Sequence, residues 1–179
     1  AFNLVLGSGR LVGQTMVDSP LVDAISFTGS VGVGEGILAA ASARRAKVQL
    51  EMGGKNPLVV LADAALDRAA EHAIQGAFYS TGQRCTATSR VIVEAPVFDR
   101  FAELMRQRTR ALVVGHALER GTQIGPVVSR EQLEQDLAYI AIGRQEGAEW
   151  MCGGEALERP TRGHYLSPAL FIAQPKQRI

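Results

Sequence analysis

"VDAISFTGS", residues 22–30, is an apolar run that ends on a glycine turn, and "VGVGEGILAAASARR" (31–45) continues it with helical texture. A further apolar run, "AKVQLEMGG" (46–54), follows with almost no linker. Strand, turn, helix and strand joined this tightly predict a parallel βαβ unit, because parallel neighbours need a crossover and a helix is the usual one. Upstream, "FNLVLG" (2–7) reads as another short strand, leading through "GSGRLVG" into a helix over "RLVGQTMVDS". The glycine turns then fall at strand carboxyl ends, where open α/β sheets bind ligands.

The texture changes after Gly54, and a domain boundary is expected near Gly53–Lys55. "NPLVVL" (56–61) is strand-like, and "ALDRAAEHAIQGAFY" (65–79) is helical, with Asp63 as a candidate N-cap. "SRVIVE" (89–94) reads as a strand and "VFDRFAELMRQRTRAL" (97–112) as an amphipathic helix. The segment 125–147 carries Ser129 and, three residues on, Gln132, the pattern of a capping box. "AEWMCGG" and "HYLSPALFIA" finish as strands. The fold class expected is α/β, built from parallel βαβ units.

Composition narrows the function classes. The chain has 179 residues, 46% apolar and 21% charged, with a net charge of +1. That is ordinary for a soluble globular protein, and no basic surplus points to nucleic acid. Its apolar runs stop well short of the ~20 residues a membrane span needs. Cys85 and Cys152 stand far apart, without a CxxC pair, so neither a disulfide framework nor a zinc site is expected and a reducing cytoplasm fits. His72, His116 and His164 are scattered and read as structural or solvated. The start, "AFNLVLGSGR", has no basic leader and no cleavage pattern. Both ends read as cut from within elements, so an interior piece of a longer chain is expected.

Three constellations carry possible chemistry. In "FTGSVGVGEG" (27–36), Gly29, Ser30, Gly32 and Gly34 precede and open a helix, where backbone N–H groups and the helix dipole can meet a phosphate. The spacing is not GxGxxG, and no acidic residue stands cleanly ~20 positions on to hold a ribose, so a simple tight connection is the competing reading. Cys85, in "STGQRCTATS" (80–89), has Arg84 beside it and a plausible turn exposing its sulfur. A nucleophilic thiolate gains from such positive charge, whereas free cysteine is more usually a small buried hydrophobe. Glu51 ends "KVQLE", where a strand would deliver it to the sheet's carboxyl edge; taken alone it is a solvated strand-end carboxylate.

Together these residues resemble the aldehyde dehydrogenase superfamily. "FTGS" before a helix, then "LEMGGKNP" (50–57), then "GQRC" (82–85) form a specific ordered set. "GTQIGPVVS" and "GHYLSPALF" are similar to later family segments, and the likeness runs from Phe2 to Ile179. The middle of the chain is also similar to dehydrogenases of 2-oxoglutarate semialdehyde (2,5-dioxopentanoate).

The resemblance implies roles. Residues 1–53 would be the carboxyl-terminal part of a Rossmann-like NAD(P)-binding domain, and 54–179 an incomplete catalytic thiol domain. Cys85 would attack an aldehyde carbon, and Glu51 would be the general base that hydrolyses the resulting thioester. Gly29, Ser30, Val31, Gly32, Val33 and Gly34 would lie along the pyrophosphate and adenosine side of NAD or NADP, with Thr28 and Met52 near the nicotinamide. The Cys85 N–H would supply one oxyanion donor. Glu51 favours hydrolysis over acyl transfer to coenzyme A. Arg84, beside the nucleophile, could attract the distal carboxylate of a short semialdehyde; an arginine that points to solvent or bonds the backbone is the competing reading. No metal is implied; the partners are a small aldehyde and other copies of the parent enzyme. Cys85 and Glu51 are expected in one cleft. Family members are much longer, so an isolated piece could instead be an inert or assembly-only fragment. A cysteine hydrolase is a third reading, for which no well-placed histidine accompanies Cys85.

Overall fold

The computed structural model describes residues 2–179 as an α/β chain that divides into two compact units, Ala1–Gly54 and Lys55–Ile179. In the first unit, a π-helical turn (Gly9–Gly13), opened by Ser8, runs into a short helix α1 (Gln14–Asp18). Then β1 (Ala24–Gly29), α2 (Val31–Ala43) and β2 (Lys47–Met52) form the expected unit, with β1 and β2 parallel and Thr28 registered on Glu51. Period-2 alternation gives this small sheet two unlike faces. Ile25, Phe27, Val48, Leu50 and Met52 are half-buried, while Ser26, Thr28, Gln49 and Glu51 are exposed.

Helix α2 approaches the sheet closely because residue 34 lacks a side chain. A Cβ on Gly34 would lie 2.4 Å from the Met52 sulfur. Ile37 and Ala41 are buried along the same helix. Arg44, at its carboxyl end, donates to the Val17 and Val22 carbonyls and so ties α1 and the approach to β1 onto α2.

In the second unit, β3 (Asn56–Val60) and β4 (Thr88–Val93) are parallel, joined through α3 (Leu66–Phe78). The register slips between Asn56 and Pro57, and Pro57 has no N–H to lose from the ladder there. α4 (Phe98–Arg110) packs on α3 around Val60, Leu66, Ala70, Ala73, Ile74, Phe101 and Met105. Ala70 and Ala73 let the helices approach, and Phe101 and Met105, one turn apart, supply the bulk. Burying such a side chain is worth about 1.5–3 kcal/mol.

Beyond α4, Val114 and Ile124 form an isolated bridge and share a second cluster with Tyr165. α5 (Arg130–Gln145) follows, then β5 (Glu149–Cys152), β6 (Ala156–Leu157), β7 (Tyr165–Leu166) and β8 (Leu170–Ile172). β5 pairs antiparallel with β8, and β6 with β7. Among the described residues, no helix is long and apolar enough to cross a membrane.

Three local expectations differ. Residues 2–7 do not form a strand: no ladder partner stands beside them among the described residues, and Phe2 and Leu6 are 91% and 84% exposed. The N-cap of α3 is Ala65, with no side-chain bond, because the chain turns once more after Asp63 before the helix begins. Only half of the α5 capping box forms. The Ser129 hydroxyl accepts from the Gln132 N–H at 3.2 Å, but the Gln132 side chain turns forward to Asp136 at 2.8 Å.

Two left-handed glycines separate backbone strain from clash. Gly147, just past α5, has φ 78° with open space around it; Gly153 has φ 70°, and a Cβ there would lie 1.7 Å from the Pro168 carbonyl oxygen. Gly147→Ala should cost about 1–2 kcal/mol, the left-handed penalty alone. Gly153→Ala should cost more than about 2 kcal/mol and lower the thermal midpoint by roughly 4–8 °C or more. Equal midpoints for the two variants would contradict the clash.

Candidate active site

The glycine turn sits where β1 ends. Ser30 is extended (φ −74°, ψ 152°), its hydroxyl makes no capping bond, and the first helical bond is Gly34 N–H to the Ser30 carbonyl at 3.0 Å. The first N–H groups of α2 therefore have no side-chain cap, and Ser30, Val31, Gly32 and Val33 are exposed. The glycines differ in why they lack a side chain. A Cβ on Gly29 would meet the Phe27 ring tip at 2.4 Å, and Gly34 is packed on Met52. Gly32 has nothing within 4 Å of where its Cβ would be.

Glu51 and Thr28 are neighbours on the exposed sheet face, and Gln49 donates to the Glu51 carboxylate at 3.4 Å. Met52 lies on the opposite face, under α2. The first unit thus brings Thr28 and Glu51 together and sets Met52 apart from them.

The thiol lies in the return from α3 to β4. Ser80, Thr81 and Gly82 all adopt left-handed φ values of 56°, 56° and 67°, the second of these at a β-branched residue, where such a value is uncommon. A Cβ on Gly82 would lie 2.8 Å from the Ala77 carbonyl oxygen, so glycine is required there. Cys85 then occupies the second position of a turn closed by Ala87 N–H to the Arg84 carbonyl at 3.0 Å, and it is exposed. Because the chain is returning from a crossover helix, this turn stands at the amino ends of β3 and β4. A carboxyl-edge position, which fits Thr28 and Glu51 in their own unit, does not describe Cys85.

Three side chains brace the turn. The Asn56 amide donates to the Cys85 carbonyl at 2.6 Å and to the Ala87 carbonyl at 3.1 Å. Arg84 donates to the Gln75 carbonyl in the last turns of α3 at 3.2 Å. The Gln83 carbonyl oxygen accepts from the Val128 N–H at 3.1 Å and the Thr81 hydroxyl at 2.7 Å. Asn56 and Gln83 escaped the sequence reading, although each lies inside a quoted motif. An asparagine before proline reads as turn punctuation, and nothing local says which distant carbonyls it will meet. Lys55, beside Asn56, lies over the Tyr139 ring, 5.6 Å from its centre.

The other cysteine is unlike Cys85. Cys152 ends β5, is only 3% exposed, and burial pushes its thiol above the ordinary range, partly offset by the Arg110 and Arg106 charges. No group of histidine, cysteine and acidic residues could hold a metal among the described residues. A cavity of about 630 Å³ between Arg130 and the loop 157–164 contains neither Cys85 nor Arg84. Iodoacetamide at neutral pH should label Cys85 at least tenfold faster than Cys152, since alkylation needs access and thiolate. Peptide mapping that found Cys152 labelled first would reverse the assignment.

Comparison with known proteins agrees with these features. All of residues 1–179 match the pattern of the Aldehyde dehydrogenase family. The chain is 51% identical over 171 residues to the alpha-ketoglutaric semialdehyde dehydrogenase of Bacillus subtilis (strain 168), covering 94% of this chain and 35% of that protein. Its fold superposes on HpcC from Thermus thermophilus with a TM-score of 0.94 at 37% identity, over 99% of this chain and 36% of the other. It also superposes on a betaine aldehyde dehydrogenase variant of Staphylococcus aureus solved with NAD+, with a TM-score of 0.93 at 30% identity, over 97% and 36%. The chain spans about a third of the length of these relatives. With a parallel α/β fold, an exposed cysteine in a braced turn and a match along its whole length, the chain belongs to the aldehyde dehydrogenase family.

Proposed function

We propose that this chain supplies the nucleophile and the general base of an NAD(P)-dependent enzyme that oxidises an aldehyde to a carboxylate. The observation that carries the proposal is the Cys85 turn, an exposed thiol whose flanking carbonyls and side chains are tied down on several sides. An orienting scaffold of this kind is what attack on a carbonyl carbon needs and what a structural cysteine does not.

The residues around the start of α2 fit a pyrophosphate. Glycine inside a helix costs up to about 1 kcal/mol relative to alanine, and no packing in this chain requires it at Gly32. Close backbone approach by a ligand at the uncapped start of the helix is a physical reason for it. In this reading Gly29, Ser30, Val31, Gly32 and Val33 face the phosphates, and Gly34 supports them from behind through Met52. Thr28, one residue before the end of β1, and Met52, the last residue of β2, are then at the nicotinamide side, on opposite faces. The first unit is then the carboxyl-terminal part of the cofactor domain, and the second the thiol domain.

In the reaction, Cys85 Sγ forms a bond to the aldehyde carbon as a thiolate. The carbonyl oxygen becomes an oxyanion, and the Cys85 N–H, which has no acceptor among the described residues, is free to donate to it. NAD(P)+, which Gly29, Ser30, Val31, Gly32 and Val33 would hold, would supply the acceptor for the hydride of that carbon. The group left on Cys85 is a thioester. Glu51 removes a proton from water as the hydroxyl adds to the thioester carbonyl, and the carbon–sulfur bond breaks to return the thiolate and release the acid. Glu51 then passes its proton to solvent.

The substrate class we infer is a short semialdehyde with a distal carboxylate. Support comes from the 51% identity to an alpha-ketoglutaric semialdehyde dehydrogenase and from Arg84, exposed beside the nucleophile. Among the described residues, one Arg84 nitrogen is engaged, on the Gln75 carbonyl. The guanidinium's other N–H donors suit a carboxylate.

Two experiments test these assignments in the longest polypeptide that carries this chain. Glu51→Gln should lower kcat by about 10²–10⁴-fold and leave an acyl group on the Cys85 peptide, visible by mass spectrometry; undiminished turnover would remove the base. Arg84→Ala should lower kcat/KM for a carboxylated semialdehyde about tenfold or more, ~1.4 kcal/mol, and spare an uncharged aldehyde of equal length. Equal losses on both would leave Arg84 as a brace of the turn alone.

A further inference from the structure

The amide of Asn56 is the least expected part of the thiol turn. It stands at the first position of β3, yet its Nδ2 reaches across to two carbonyls, 29 and 31 residues further along the chain. With two carbonyl oxygens as partners, the orientation of the amide is unambiguous, because only the NH₂ end can donate to both. The Ala87 bond anchors the end of the turn at the base of β4. The Cys85 bond acts on the nucleophile's own peptide group. A peptide is planar and trans, so holding the Cys85 carbonyl toward Asn56 turns the following Thr86 N–H the opposite way and restricts rotation about the Cys85 Cα.

We propose that Asn56 is a positioning residue for Cys85: by donating to the Cys85 and Ala87 carbonyls, it holds the turn in the one conformation that aims the thiol and its N–H at an aldehyde. The inference rests on Cys85 being the nucleophile. The neighbouring bonds do not duplicate it. Arg84 and Gln83 grip the turn from its amino-terminal side through α3 and Val128, and Arg90 donates to the Lys55 carbonyl without touching the Cys85 peptide. Without the Asn56 amide, no other side chain among the described residues holds the Cys85 carbonyl, and the segment is left to the turn's own Ala87-to-Arg84 bond and the start of the β3–β4 ladder at Asn56 and Thr88. The thiol remains exposed but samples several directions, and the fraction aimed correctly falls.

That separates two reactivities. Alkylation by iodoacetamide needs an accessible thiol and no fixed direction, whereas hydride removal and thioester hydrolysis need one geometry. The test compares Asn56→Asp, which keeps the shape and loses both donors, with Asn56→Ser, which keeps one hydroxyl donor on a shorter arm. Arg90→Ala, which frees the adjacent Lys55 carbonyl, is the control for general loosening, and Cys85→Ser tests the nucleophile itself. Measured in the longest polypeptide that carries this chain, kcat for aldehyde oxidation should fall at least tenfold in both Asn56 variants. Cys85 labelling by iodoacetamide should stay within about threefold, and the KM for the cofactor within about twofold. Arg90→Ala should leave kcat within about twofold. The proposal is overturned if kcat survives in either Asn56 variant while Cys85→Ser is inactive, or if Arg90→Ala lowers kcat as much. Should Cys85→Ser remain active, it is the reading of the nucleophile that fails. If Asn56→Asp unfolds, Asn56→Ser decides alone, by the same split between turnover and labelling.

Discussion

Parallel strands cannot be joined by a tight turn, and that requirement places every chemically interesting residue in this chain. Each parallel pair needs a helical crossover, and each crossover makes two junctions. At the junction from β1 to α2, the strand delivers an uncapped helix start with glycines, which can face an anion. At the junction from α3 to β4, the chain must reverse and re-enter the sheet at its amino end. There three left-handed residues make the reversal and the thiol turn completes it. The two units use one construction and expose opposite junctions of it.

Tight packing between helix and sheet divides the glycines by role. Gly34 lets α2 settle on Met52, Gly82 clears the Ala77 carbonyl, and Gly153 clears Pro168; each answers to an atom inside the chain. Gly32 answers to none among the described residues, as does Gly36 further along the same helix. The same logic separates the cysteines. Cys152 is enclosed by the end of β5 and kept protonated by burial, while Cys85 is held at the surface by the groups around it. Residue type is identical, and environment alone encloses one thiol and leaves the other accessible.

Charge contributes little to the fold itself. Glu103 is held down to about 2 by the Arg106 guanidinium, 2.6 Å away, but both are only half-buried, one turn apart on α4, and water still screens the pair. The polar bonds that organise structure run instead from side chain to backbone: Arg44 to Val17 and Val22, Asn56 to Cys85 and Ala87, Arg159 to Val114. These join segments far apart in sequence and fix loops that ladders do not reach.

The βαβ order, the helices α2 to α5 and the family were legible in the sequence, because hydrophobic period, glycine punctuation and the ordered motifs "FTGS", "LEMGGKNP" and "GQRC" are properties of contiguous residues. Glu51, Thr28 and Cys85 could be singled out for the same reason. The strand expected at 2–7 illustrates the limit: an apolar run becomes a strand only if a neighbour completes its ladder, and a neighbour is a tertiary fact. Likewise, nothing local distinguished the Asn56 amide from turn punctuation, or showed that α2 would cover the Met52 face of the sheet. The thiol's place at the amino end of its strands also followed only once α3 was seen to carry the chain back along β3. Sequence by itself determined which elements form and which residue types are present to react. Tertiary structure decided which distant backbone groups hold those residues still, because a hydrogen bond across 29 residues leaves no periodic trace in the chain that makes it.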